Sequence, residues 1–163
     1  MDNRLYAAHG SANGSFAQVT YGALLGDSLD GINWIIDTTD LGSEGSAGSK
    51  FIGNNDGQTI TAIASNRGNV FTYKNKSTYV ILPDQAGVPY DNPKISDNWG
   101  TLSAQSVFAY DANVFNAEAE GVFGSDGSKL YLLSYNLGDL WANILSSNLN
   151  SIVGAQHNKY LLF

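Results

Sequence analysis

The segment VFTYKNKSTYVI, residues 70–81, has the pattern of a β-hairpin, because two apolar arms surround a polar tip. Its Val, Phe, Tyr, Thr and Ile residues are those that strands prefer, and they alternate with a period of two. A related segment, VFNAEAEGVFGS, occupies residues 114–125, which is 44 positions later. The agreement extends upstream, because residues 59–71 align with 103–115 at the same offset without a gap. A hairpin that returns at a fixed spacing predicts a repeat architecture.

Two further segments fit the repeat. An offset of 45 places NSIVGAQHNKYLLF (150–163) on residues 105–118, so that Asn158 falls on Asn113 and Tyr160 on Phe115. Near the start of the chain, Leu5 and Tyr6 stand where Val70 and Phe71 stand in the hairpin. A period of 44–45 residues is typical of propeller blades, each a sheet of four antiparallel strands.

We therefore predict an all-β fold of propeller-like antiparallel meander blades, with about three blade equivalents that are incomplete at both ends. The single β domain spans residues 1–163, with blade-like units at about 1–55, 56–100 and 101–149, and residues 150–163 begin a further unit. Residues 82–100 contain all three prolines and are predicted to connect two blades. Helix is expected only near residues 137–152, where Leu, Trp and Ile have helical spacing.

The composition disfavours several classes of function. Only 14% of the residues are charged, and the net charge is −7 with eight Lys and Arg in total. Clustered basic residues are needed to bind phosphates, so neither nucleic acid nor an anionic membrane surface is an expected partner. The absence of cysteine excludes disulfides and thiolate zinc sites. No apolar run reaches the ~18 residues of a membrane span, and the first residues do not resemble a signal peptide.

The order of these segments resembles a known family. The segment ITAIASNRGNVFTYKNKSTYVI (60–81) is similar to a recurring strand pair of bacteriophage tail nozzle (tail tubular protein B-like) virion β-propeller proteins. The resemblance continues through ISDNWGTLSAQSVFAYDANVFNAEAEGVFGSDG (95–127), and it includes residues 3–40 and 146–163. The second arm of the hairpin at 114–125 departs from the family, because bulkier residues usually precede its glycine. The resemblance implies a structural role in the virion without catalysis, with other tail proteins or copies of the chain as partners.

The carboxylates Glu118 and Glu120 are the main candidates for catalysis. Two residues apart on an extended segment, they lie about 7 Å from each other, a separation that suits an inverting glycosidase. The equivalent positions in the preceding unit are Lys74 and Lys76. Because these positions accept either charge, we interpret them as solvated residues of the hairpin tip and predict no enzymatic activity.

Other motifs are interpreted as structural, so that no metal or cofactor is predicted. SLDGINW (28–34) resembles an Asp-box, which is a hairpin tip, and the chain has too few arginines for a sialidase. Three Asp-Gly pairs, at positions 30, 56 and 126, are explained by turn chemistry, because none lies in a complete calcium loop. His9 and His157 are predicted in loops, and GSEGSAGSKF (42–51) is predicted to be a surface loop.

The aromatic residues leave two interpretations open. Trp34, Trp99 and Trp141 either fill the space between blades and protein interfaces or stack on sugar rings, as in propeller lectins. The first interpretation leads to a virion component that acts through protein–protein contacts. The second leads to a carbohydrate-binding propeller that completes its ring by oligomerisation.

Overall fold

The computed structural model describes residues 6–9, 18–21, 48–53, 56–83, 89–91, 93–144 and 146–163, which form four antiparallel sheets in chain order. Sheet 1 contains β1 (Tyr6–His9), β2 (Gln18–Tyr21) and β3 (Gly48–Phe51). Sheet 2 contains β4 (Ile60–Asn66), β5 (Asn69–Lys74), β6 (Thr78–Pro83), β7 (Pro89–Asp91) and β8 (Lys94–Ser96). Sheet 3 contains β9 (Phe108–Tyr110), β10 (Asn113–Glu118), β11 (Gly121–Ser125) and β12 (Leu130–Leu132). Sheet 4 contains β13 (Ala155–His157) and β14 (Tyr160–Leu162).

Helical structure is short. The α-helix α1 spans Gly138–Trp141, and 3-10 turns span Ala104–Ser106, Tyr135–Leu137 and Ser146–Ser151. The all-β prediction is confirmed: the sheets are antiparallel and pair consecutive strands, except that β8 pairs with β6, and they are compatible with propeller-like blades. Within the described ranges the four sheets do not close into a ring.

The strand register confirms the offset of 44 between sheets 2 and 3. Val70 of β5 pairs with Ile81 of β6. The residues 44 positions later, Val114 of β10 and Ser125 of β11, also pair with each other. Because a slip of one residue would turn every side chain to the opposite face, this agreement means that the two sheets present equivalent residues on equivalent faces.

The offset of 45 predicted for the last unit is wrong by two residues. Phe108 pairs with Phe115 across β9 and β10, and the equivalent pair in sheet 4 is Ala155 with Leu162, 47 positions later. Asn158 is therefore equivalent to Asp111, and both begin a two-residue turn with a positive φ, of 53° and 52°. Such turns fix the register of a hairpin, whereas side-chain similarity does so only loosely.

Both faces of sheet 2 pack on a neighbouring sheet. One face of sheet 2 contributes Val70, Tyr79 and Ile81 to a cluster with Val19 and Ile52 of the sheet 1 segment. The opposite face of sheet 2 contributes Phe71 and Tyr73 to a second cluster with Val114 of sheet 3. Sheet 2 therefore lies between sheets 1 and 3, and successive sheets stack face to face.

Three local predictions need correction. Part of the predicted connection at 82–100 forms β7 and β8, which both pair with β6. Part of the predicted loop at 42–51 forms β3. The segment 103–110, which the alignment with residues 59–66 predicts as a strand, instead begins with a 3-10 turn, because the hydroxyl and amide of Ser106 both donate to the Ser103 carbonyl, at 2.9 and 3.2 Å. Hydroxyl side chains that bond the local backbone compete with strand pairing in this way.

Candidate functional site

Two of the three tryptophans singled out in the sequence meet at the tip of the β10–β11 hairpin. Trp99 lies in the segment before sheet 3, and Trp141 is the last residue of α1. The ring nitrogen of each indole donates a hydrogen bond to the residues that form the tip. We call Trp99, Glu118, Glu120, Phe123 and Trp141 the tip cluster. Trp34 lies outside the described residues.

Trp99 is held in place through both its backbone and its ring. Its amide donates to the Ser96 hydroxyl at 2.9 Å, and its carbonyl accepts the Thr78 hydroxyl at 2.7 Å. The indole packs on Phe123 with ring centroids 4.9 Å apart and an interplanar angle of 32°. Its Nε1–H donates to Oε2 of Glu120 at 2.8 Å. Trp99 therefore attaches the segment after sheet 2 to the hairpin tip of sheet 3.

Trp141 contacts the same tip from the segment that follows sheet 3 in the sequence. Its Nε1–H donates to the backbone carbonyl of Glu118 at 2.8 Å. The short helix is closed by the amide of Ala142, which donates to the Gly138 carbonyl at 2.9 Å. Because α1 has only four residues, this indole contact anchors it to sheet 3. No pattern in the sequence predicts this contact, since it joins residues 23 positions apart.

The two carboxylates of the tip have different surroundings. Oε2 of Glu118 accepts the backbone amide of Glu120 at 2.9 Å, and the Glu118 side chain is buried. Glu120 is exposed and presents its carboxylate beside the Trp99 indole. Glu118 is therefore engaged in closing the turn, whereas Glu120 is the carboxylate of the tip cluster that faces solvent.

The interpretation of Lys74 and Glu118 as solvated residues is wrong, although Lys76 and Glu120 are exposed as expected. The Lys74 side chain has an exposure of 0%. Its Nζ donates to both carboxylate oxygens of Asp56 at 2.8 Å and to the Gly53 carbonyl at 2.9 Å. A buried ammonium requires such partners, and they come from the segment that links sheet 1 to sheet 2.

The Asp-Gly pairs within the described residues have turn roles. Asp56 binds Lys74 and accepts the amide of Gln58 at 3.0 Å. Asp126 accepts the hydroxyl and the amide of Ser128 at 2.7 and 2.9 Å. The pKa of Asp126 is lowered to about 2, mainly because the Ser128 side chain donates a hydrogen bond to its carboxylate. The pair at position 30 and the SLDGINW motif lie outside the described residues.

The remaining candidates for metal binding do not converge. His9 and His157, predicted in loops, are the last residues of β1 and β13. Across the part of the chain that the structure describes, no group of three His, Asp or Glu side chains could hold a metal ion.

A second feature is the apolar surface of the last third of the chain. Of the thirteen large apolar side chains that are exposed in the described residues, ten lie between positions 131 and 163. We call these ten residues the C-terminal apolar surface: Tyr131, Leu132, Leu133, Tyr135, Leu137, Leu140, Val153, Tyr160, Leu162 and Phe163. These residues are neighbours in the sequence and lie on more than one face, since Leu162 is exposed whereas the next residue, Phe163, contacts Phe108 of sheet 3.

Comparison with known proteins does not identify a family. No family model matches the chain, and no curated protein sequence shows significant similarity to it. Among the described helices, none has the length and apolar character needed to cross a membrane.

Proposed function

We propose that the chain is a non-enzymatic structural module of a phage tail or related virion assembly, of the nozzle or adaptor type, that acts through protein–protein contacts in the virion. The observation that carries the proposal is the C-terminal apolar surface. Large apolar side chains that stay exposed favour burial against another protein, and ten of the thirteen in the described residues belong to this part of the chain. The order of segments in the sequence, which resembles that of tail nozzle propellers, supplies the kind of assembly.

The strand arrangement also supports contacts with other proteins. Sheet 4 has two strands in the described residues; one of its faces meets sheet 3 through the ring contact of Phe163 with Phe108, and its other face is exposed. A strand or sheet from a partner stabilises such a hairpin by pairing with its edge or covering its face.

Detection in particles tests the virion role. Antibodies against the chain should label purified tailed particles of the phage whose genome encodes it, and the label should lie on the tail. Mass spectrometry of the same particles should recover its peptides in a constant ratio to the major tail protein. Absence of the chain from purified particles would refute the proposal.

The absence of enzymatic activity is part of the proposal. Its support is the position of Glu118, whose carboxylate closes the tip turn by accepting the amide of Glu120. A catalytic pair needs two carboxylates that both reach a substrate. Glycoside hydrolysis that the Glu120→Gln variant loses would contradict this part, even if the chain were found in virions.

The tip cluster favours a second candidate function, carbohydrate binding. Two indoles and the exposed Glu120 carboxylate meet at one hairpin tip, and protein sites for sugars combine aromatic faces with polar groups. The contacts of Trp141 allow a sharp test, because a Trp141→Phe variant keeps an aromatic face but removes the hydrogen bond to Glu118.

If sugars stack on Trp141, the Trp141→Phe variant should retain binding on a glycan array, whereas Trp141→Ala should lose it. If the indole is purely structural, no glycan is bound by the native chain, and both variants lose stability, by about 1 kcal/mol for the missing hydrogen bond in Phe. The matched control is Trp99→Phe, which removes the indole bond to the exposed Glu120 and should cost less.

A further inference from the structure

The stacked sheets give each strand position a defined environment. Leu162 of β14 is equivalent to Phe115 of β10 and Phe71 of β5, because each pairs with the matching residue of the preceding strand. Phe71 packs against sheet 3 and is 1% exposed. Phe115 is 8% exposed and stacks on Phe108, which in turn contacts Phe163, the residue that follows β14. This position is therefore the one that the following sheet covers.

Leu162 has the strand position equivalent to Phe71 and Phe115, but unlike them it is exposed. It is 52% exposed, and Tyr160, two residues earlier on the same face of the strand, is 70% exposed. The opposite face meets sheet 3, because Phe163, which follows β14 and alternates with Leu162, contacts the Phe108 ring. The outer face of sheet 4 thus carries the apolar residues with which the other sheets bind their successor.

Sheet 1 presents the complementary face. Along each strand, residues that face the preceding sheet alternate with residues that face the following sheet. Ala8 and Ile52 pack towards sheet 2. Their neighbours Ala7 and Phe51 are on the opposite face and exposed, and Phe51 is 51% exposed.

We infer that the outer face of sheet 4 docks on the outer face of sheet 1 of a second copy of this chain, so that copies continue the stack head to tail. This inference rests on the proposed function, since it names a partner for part of the C-terminal apolar surface. The occupant is a sheet of the same repeat because sheets 2 and 3 show that such a sheet covers this position. The contact is heterologous, joining different surfaces of the two copies, and such contacts give closed rings or filaments.

Two variants separate the surfaces of the contact. Leu162→Lys places a charge on the sheet 4 face, and Phe51→Glu places one on the sheet 1 face. Each should weaken self-association of the full chain at least about tenfold, because a charge would be buried where an apolar side chain was. Leu102→Lys is the matched control, since Leu102 is exposed but lies on neither face, and it should associate like the native chain.

Mixing the variants tests the direction of the contact. Copies with Leu162→Lys keep an intact sheet 1 face, and copies with Phe51→Glu keep an intact sheet 4 face. Analytical ultracentrifugation should therefore show that each variant alone is monomeric, whereas an equimolar mixture forms one-to-one dimers that do not grow further. Near-UV circular dichroism of each variant should match that of the native chain. If Leu162→Lys alters the fold, Leu162→Ala takes its place and should weaken self-association to a smaller extent.

Three results would overturn the inference. The first is a native chain that is monomeric at every concentration. The second is a Phe51→Glu variant that associates as well as the native chain, which indicates a contact between two sheet 4 faces. The third is a mixture that remains monomeric. A monomeric chain that is nevertheless located in virions would refute this contact and leave the proposed function standing. Head-to-tail association of a chain that is absent from virions would refute the function and leave the contact standing.

Discussion

The buried ion pair between Lys74 and Asp56 allows a quantitative prediction about stability. Lys74 has no exposed side-chain surface, and its Nζ binds both oxygens of Asp56 at 2.8 Å, whereas the Asp56 side chain is 22% exposed. An Asp56→Asn variant keeps the shape and one acceptor oxygen but leaves the ammonium without a counter-charge. The Gly53 carbonyl, at 2.9 Å, would be its remaining backbone acceptor.

The expected cost follows from the surroundings of the pair. Removing one partner of a fully buried pair costs about 3–5 kcal/mol, and the partial exposure of Asp56 places this site at or below the lower limit. Because Asn retains a neutral acceptor, we expect a loss of about 2–3 kcal/mol in the free energy of unfolding. For a chain of this length, that loss lowers the melting temperature by about 4–12 °C.

Urea unfolding followed by circular dichroism measures the effect, and two other variants test its cause. The double variant Lys74→Met/Asp56→Asn removes both charges of the pair, so it should lose less stability than Asp56→Asn alone. Asp97→Asn breaks the exposed pair with Lys94, in which the atoms are 2.6 Å apart, and should cost no more than about 0.5 kcal/mol. The reasoning fails if Asp56→Asn costs no more than Asp97→Asn, or if the double variant is as damaging as Asp56→Asn.

Three further predictions concern single contacts. Thr101→Val removes a buried hydroxyl that bonds the Ala117 carbonyl at 2.8 Å, and it should cost about 1–3 kcal/mol in urea unfolding; an unchanged midpoint would contradict this. The lowered pKa of Asp126, about 2 against an ordinary 3.8, means that its ionised form favours folding above pH 3.8 and that this contribution is lost as the pH falls through 2. Ser128→Ala should therefore raise that pKa towards 3.8 in an NMR titration, and an unchanged titration would show that the hydroxyl is not the cause. Gly154→Ala would place a Cβ 2.6 Å from a backbone oxygen of residue 106, so β13 and β14 should exchange amide hydrogens faster, and equal protection would count against close packing of sheet 4.

The sequence predicted the elements whose information is local. The hairpins of sheets 2 and 3, their offset of 44 and the single helical region all follow from period-two alternation and turn residues within short windows. The offset of the last unit could not be obtained in the same way. Its register depends on the turn at Asn158, whereas the alignment followed the similarity of Tyr160 to Phe115.

The surroundings of single side chains required the fold. The exposure of Lys74 depends on Gly53 and Asp56, which precede it by about twenty residues and approach it only when sheets 1 and 2 pack. The tip cluster depends in the same way on Trp99 and Trp141, which come from segments before and after the hairpin. Hydropathy and periodicity predict a strand and its two faces, but they do not predict which residue of another sheet a side chain contacts.

The exchange of Lys74 for Glu118 between units shows what the repeat preserves. The backbone carbonyl of Lys74 accepts the amide of Thr101 at 2.9 Å, and the equivalent carbonyl of Glu118 accepts the indole of Trp141 at 2.8 Å. In both sheets, a donor from the segment after the sheet satisfies the last carbonyl of the second strand, since an unpaired buried carbonyl is costly. The side chain at this position is then free to follow its local partner, which is Asp56 for the lysine and the amide of Glu120 for the glutamate. A change of charge between equivalent positions therefore indicates a change of partner, and it is not evidence that the position is solvated.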